Sequence, residues 1–135
     1  MIVADTNLLS YAALDVPESA LAEQVRTLDS DWAAPPLWRS EFRNVLALYV
    51  RTGRLSDRDA LDVWQIAGRF VTHPQPEPDP AAILRLAHDH GLSGYDAEFV
   101  ALAAGLGVPL VTADRRLLQA CPDLAVSLEG FVSNS

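Results

Sequence analysis

The sequence contains no lysine, so all ten of its basic residues are arginines. Against 18 acidic residues they leave a formal net charge of -8. Such a chain repels nucleic acid at long range, because phosphate binding draws on Lys and Arg. Handling RNA or DNA requires a local arginine patch or bound cations, and the same balance equally suits a basic protein partner. There is also no Gly-x-x-x-x-Gly-Lys loop, which excludes a P-loop enzyme. Cys121 is the only cysteine, so neither an intrachain disulfide nor a cysteine-rich zinc site is available. Beside Pro122 it reads as a small, partly buried hydrophobe. No apolar run approaches the roughly 20 residues that cross a bilayer, and the N-terminus has no basic, long-apolar signal peptide. The expectation is a soluble, cytoplasmic protein with no membrane association. Aromatics make up only 7% of the chain and none form an aromatic-rich strand, which argues against an RNA-recognition-type sheet. Trp32, Trp38 and Trp64 read as core or interface residues.

What is present is a core. Half of the 135 residues are hydrophobic, as a packed protein requires, and the length fits a single domain spanning 1–135. The Pro-rich stretch 73–80 is the only candidate boundary, and it reads as a loop inside that domain. Ile2-Val3-Ala4 reads as a short buried strand, and Pro109 to Ala113 as the clearest strand after it. Trp32-Ala33-Ala34, Phe70-Val71-Thr72 and Leu124 to Leu128 read as weaker ones. Helices are expected near 7–14 and from Pro17 to Leu28, the latter with Leu21, Val25 and Leu28 inward. Pro36 to Arg51 is a long helix, and Ser56 with Asp59 opens another that carries Leu61, Trp64 and Ala67 inward. Pro80 to His90, Ser93 to about Gly105 and Asp114 to Ala120 complete the set. Strands separated by helices, with no hairpin signal, predict an α/β layer structure with a mainly parallel sheet.

In such a sheet ligands bind beyond the carboxyl ends of the strands, and two carboxylates stand there. Asp5 follows Ile2-Val3-Ala4, and Asp114 follows Leu110-Val111-Thr112-Ala113. Either alone reads as the N-cap of the next helix. Glu41 is different, since it lies along the apolar stripe of Trp38, Phe42, Val45 and Tyr49, where an isolated carboxylate is costly. Asp96 repeats that pattern ahead of Phe99, Val100 and Ala103, although a helix N-terminus also favours an acid. Gathered within a few ångströms, such acids repel one another and stay partly protonated unless a cation compensates. A hard divalent cation is the physical solution, and Mg²⁺ or Mn²⁺ suits oxygen ligands. Thr6, Asn7 and Thr112 add polar groups at the same edge.

The chain resembles the PIN-domain family of metal-dependent nucleases, and in size and layout the VapC-type toxins of bacterial toxin–antitoxin pairs. The matching pieces are Val3-Ala4-Asp5-Thr6-Asn7, Glu41 within Arg39-Ser40-Glu41-Phe42, Gly94-Tyr95-Asp96-Ala97-Glu98 and Thr112-Ala113-Asp114-Arg115-Arg116-Leu117. The resemblance implies a three-layer α/β/α sandwich and an acidic constellation of Asp5, Glu41, Asp96 and Asp114 around Mg²⁺ or Mn²⁺. Thr6, Asn7 and Thr112 would support those acids. It further implies endoribonuclease cleavage of structured RNA, restraint by a VapB-type antitoxin, and a homodimer. Whether Glu41 is a ligand or the group orienting the attacking water stays open.

Arg115 and Arg116 beside Asp114, and Arg39 and Arg43 around Glu41, are candidates for bidentate contact with phosphate. His88 and His90 flank Asp89, but residues two apart on a helix face different ways, so they read as surface or helix-end residues. Alternatives remain. A receiver domain wants a lysine near its last strand, and a haloacid-dehalogenase-like phosphatase wants a second Asp where this chain has Asn7. A non-catalytic acidic protein for a basic partner would use the acids only as caps and as a docking surface.

Overall fold

The computed structural model describes all 135 residues. Five strands, β1 (Ile2–Ala4), β2 (Trp32–Ala34), β3 (His73–Pro74), β4 (Leu110–Val111) and β5 (Ala125–Val126), form one sheet. All pairings are parallel and the spatial order is β3-β2-β1-β4-β5. Between them run α1 (Thr6–Ala13), α2 (Ser19–Leu28), α3 (Leu37–Arg51), α4 (Asp57–Phe70), α5 (Pro80–His90), α6 (Gly94–Leu106), α7 (Arg115–Ala120) and α8 (Leu128–Ser133). The result is a three-layer α/β/α sandwich around a parallel sheet. No helix is long and apolar enough to cross a membrane.

Parallel strands covered on both faces read as unbroken apolar runs. Ile2, Val3, Ala4, Leu110 and Val111 are accordingly all fully buried. The sequence of α6 is apolar nearly all the way round, from Ala97 to Ala103, because α6 lies between α5 and the β1–β4 part of the sheet. Ser93 starts this helix by accepting a hydrogen bond from the Asp96 amide at 3.1 Å, and Gly107 stops it in the left-handed conformation, φ 68°. The main core takes residues from Ile2 to Val71 and again from Phe99 to Leu128. Packing therefore passes across the Pro-rich segment 73–80, which is not all loop: His73–Pro74 form β3 and Pro80 opens α5.

Several expected elements shift. The strand expected at 70–72 lies at His73–Pro74 instead, while Phe70 finishes α4. Thr72 meets the sheet with its side chain: the Trp32 amide donates to Thr72 Oγ1 at 3.0 Å. Pro74 lacks an amide proton and is tolerated because β3 is an edge strand. The final strand is only Ala125–Val126, and it is followed by α8, an additional helix that Ser127 caps at the Gly130 amide. Leu28 and Leu61 are not inward; Leu61 is 63% exposed. On α3 the buried line is Trp38, Phe42 and Leu46, which leaves Val45 and Tyr49 half-buried with Glu41 along the edge.

Candidate active site

From β1 the chain steps outward through β2 to β3, then returns to lay β4 on the other side of β1. The connections after β1 and β4 diverge, leaving a crevice at the carboxyl ends of these two strands. Asp5 leaves β1 there, held in the ladder by its amide, which donates to the Val111 carbonyl at 3.2 Å. Thr112 leaves β4 beside it and is fully buried.

Side-chain hydrogen bonds join the two strand ends. The Asp5 carboxylate accepts from the Thr6 amide at 2.8 Å, from Thr112 Oγ1 at 2.6 Å and from Asn7 Nδ2 at 3.2 Å. Thr112 Oγ1 in turn accepts from the Asp114 amide at 3.0 Å, and Asn7 Oδ1 accepts from the Ala113 amide at 3.0 Å. Thr6 Oγ1 donates to Glu41 Oε1 at 2.7 Å, which ties α3 to α1. Asp114 caps α7 through the Arg116 amide at 2.8 Å. Thr6, Asn7 and Thr112 thus orient Asp5 and Glu41, and Thr112 also takes the Asp114 amide.

Asp5 feels the charges of Glu41 and Asp96, Glu41 that of Asp96, and Asp96 that of Asp114. Burial raises Asp5 from 3.8 to about 6; the Thr112 and Thr6 hydrogen bonds pull it down, while Glu41 and Asp96 push it up. Glu41 is raised, first by burial and then by Asp96, with Thr6 opposing. Asp96 is raised by burial and by Asp114, and Arg116 lowers it. The ion pairs of the chain, Met1–Asp29, Arg26–Glu23 and His73–Asp31, involve none of these acids. The acids are thus oxygen donors that repel one another with no ion-paired cation among them, a set suited to a hard divalent ion. No three His, Cys, Asp or Glu side chains stand close enough to hold an ion alone.

The candidate arginines divide. Arg116 acts on Asp96, whereas the guanidinium groups of Arg39 and Arg43 lie over the Trp64 ring, 5.2 and 5.3 Å from its centroid. Arg115 is exposed. The tryptophans behave as packing residues, with Trp38 stacked on Trp64 at 5.3 Å. His90 bonds the Ala120 carbonyl through Nδ1 at 3.0 Å, a helix-end contact. One acid received no role from the sequence. Burial and Glu77 raise Glu98, a backbone hydrogen bond from Leu37 opposes them, and Glu41 adds to the rise. The signal was available, since Glu98 stands two residues beyond Asp96, but that spacing normally means a different helix face.

Residues 2–121 match the PIN domain family. The chain is 33% identical over 121 residues to Ribonuclease VapC3 of Pyrobaculum aerophilum, covering 85% of this chain and 92% of that protein. Among solved structures it is similar to PAE2754 from Pyrobaculum aerophilum, with a TM-score of 0.79 and 25% identity over 98% of this chain and 87% of that one. FitAcB from Neisseria gonorrhoeae shares the fold, with a TM-score of 0.67 and 21% identity over 96% of this chain and 99% of the other. The four acidic pieces lie within the matched span, and the chain belongs to the PIN-domain family.

Proposed function

We propose that this chain is a divalent-metal-dependent endoribonuclease, the toxin of a VapB–VapC-type pair, hydrolysing phosphodiester bonds of structured RNA. The observation that supports the reading is the chain of electrostatic contacts, Glu41 and Asp96 acting on Asp5 and Asp114 acting on Asp96, with no ion-paired cation among them. Its relative's name, Ribonuclease VapC3, supports the same activity. Asp5, Asp96 and Asp114 are the residues to hold Mg²⁺ or Mn²⁺, with Glu41 either beside them or on the attacking water. When bound, the metal supplies charge neutralisation at the phosphate and a more acidic water.

The chain's own groups supply the rest. Three donors fix the orientation of Asp5, and Thr6 fixes one oxygen of Glu41. The other Glu41 oxygen is then available to take the proton from an attacking water. The water oxygen bonds to phosphorus as the bond to the leaving ribose oxygen breaks, and solvent returns a proton to that oxygen. Burial raises the proton affinity of Glu41, the direction that suits a group taking a proton. Arg116 is the arginine best placed to meet a phosphate, with Arg115 next to it and Arg39 and Arg43 committed to Trp64. An antitoxin, a homodimeric state and a cytoplasmic setting complete the proposal.

Incubation of structured RNA with the protein tests it. Cleavage should require Mg²⁺ or Mn²⁺, stop with EDTA, and disappear in both Asp5→Asn and Asp96→Asn while the fold persists. Undiminished cleavage in both variants would sink the assignment.

A further inference from the structure

Lined in part by Thr6 and Asn7, a cleft of about 500 Å³ opens between α1, the 14–18 turn and the end of α3. Small-ligand clefts span roughly 300–1,000 Å³. Tyr11 and Tyr49 line this one, and Glu18 and Arg54 stand exposed at its rim. We propose that this cleft is a nucleobase subsite, taking one unpaired base, guanine by preference, of an RNA whose scissile phosphate lies at the acids. The inference rests on the ribonuclease reading above and adds to it the recognition of a base.

Three observations carry it. First, the cleft and the acid cluster share a wall. Thr6 and Asn7 line the cleft while bonding Glu41 and Asp5, so a nucleotide in the cleft has its phosphate next to the site. Second, the aromatic surface is built and held. The Arg54 guanidinium covers the Tyr49 ring at 4.2 Å from its centroid. Gly53, at φ 76°, folds the chain back so that the amides of Arg54 and Leu55 both donate to the Tyr49 carbonyl, at 2.8 and 3.2 Å. Unstacked RNA bases are bound on aromatic rings and on arginine planes in this way. Third, Glu18 enters no ion pair, which leaves its carboxylate available to a ligand, while Arg54 stays engaged with the Tyr49 ring. Guanine presents two adjacent donors, N1–H and the N2 amine, to a carboxylate. Uracil places carbonyl oxygens on either side of its single N–H, and Glu18 repels them.

Stacking also answers the difficulty posed by the net charge of -8. It holds RNA through base faces rather than through a basic groove, and it draws on the one cation that Arg54 supplies. A basic peptide would be attracted by Glu18 but opposed by Arg54, so the base is the better occupant.

The experiment uses the full chain in EDTA and fluorescence anisotropy with labelled pentauridylate carrying G, A, C or U at its centre. The G oligomer should bind most tightly. Tyr49→Leu should weaken it roughly 5- to 150-fold, the range worth one stacked base, while Tyr49→Trp should retain binding. Glu18→Gln should narrow the gap between the G and U oligomers. Thermal melts of each variant separate lost stacking from lost folding. Equal binding of all four oligomers by folded wild type and Tyr49→Leu overturns the subsite. So does Glu18- and Tyr49-dependent binding of an arginine-rich decapeptide by a protein that binds no oligomer, which makes the cleft a protein-docking site. Cleavage with Mn²⁺ is read separately, on the oligomers and on structured RNA. Oligomers cut equally by wild type and variants overturn the subsite and leave the nuclease standing. Base-selective binding without any cleavage upholds the subsite and removes the nuclease. Neither binding nor cleavage removes both.

Discussion

Asp5→Asn replaces a carboxylate that is 8% exposed with an amide of nearly the same shape. In the metal-free protein that carboxylate titrates at about 6 rather than 3.8. At about 1.4 kcal/mol per tenfold change in proton affinity, keeping it ionised in the folded state costs about 3 kcal/mol. Because the folded state holds its proton more tightly, stability is greatest below the unfolded value of 3.8 and declines as pH rises through about 6. The substitution removes that cost at pH 7. The amide oxygen can keep the two donors Thr112 and Asn7, which share one Asp5 oxygen, and the amide nitrogen then faces the Thr6 amide, which donates to the other at 2.8 Å. Losing one such bond gives back about 1–2 kcal/mol. The net expectation at pH 7 without metal is a gain of about 1–2 kcal/mol, seen as a melting temperature higher by about 4–8 °C. At pH 4 the gain should vanish or reverse, since wild-type Asp5 is then largely protonated. Urea melts of wild type and variant in EDTA, at pH 4 and pH 7, measure both numbers. A variant less stable than wild type at pH 7, or a difference independent of pH, would refute the view that Asp5 is held charged against its surroundings.

Millimolar Mn²⁺ should raise the melting temperature of the wild type, by an amount corresponding to about 2.7 kcal/mol at a hundredfold excess over its dissociation constant. The same titration of Asp96→Asn should give little or no shift, and an equal shift in both would remove Asp96 from the proposed metal ligands. Thr112→Val keeps the shape of a fully buried side chain but removes the hydroxyl that serves Asp5 and the Asp114 amide. Urea unfolding should show a loss of about 2 kcal/mol at pH 7 and a smaller loss at pH 4, when Asp5 is protonated. Gly107→Ala has open space around the added carbon but must adopt φ 68°. Its urea midpoint should fall by the equivalent of about 1–2 kcal/mol with the slope unchanged, and an unaltered midpoint would show that the turn relaxes freely.

Most of the acid cluster was legible because it obeys a positional rule. Asp5 and Asp114 follow apolar strands, and Glu41 and Asp96 neighbour buried aromatic or aliphatic residues; both patterns survive in one dimension. The supporting Thr6, Asn7 and Thr112 were legible by adjacency. Other features depend on distances that adjacency does not carry. β3 is two residues long and contains a proline, so neither length nor propensity marks it. α8 is six residues long, too short for a helical period to emerge. Arg39 and Arg43 flank Glu41 in sequence, yet Trp64 on the neighbouring helix captures them. The cleft of Tyr11, Tyr49 and Arg54 needs the left-handed turn at Gly53 before its parts meet.

The Thr112–Asp5 hydrogen bond spans 107 positions of the chain. During synthesis β1 emerges first, but its neighbour β4 and the residue that caps α7 come last among the parts of the site. At ribosomal rates of about 5–20 residues per second, Asp5 waits roughly 5–20 s for Asp114 to be made. Throughout that interval the nascent chain displays one or more acids without the crevice. Truncation anywhere before β4 therefore removes both Thr112 and Asp114 and leaves Asp5 without its partner across the sheet.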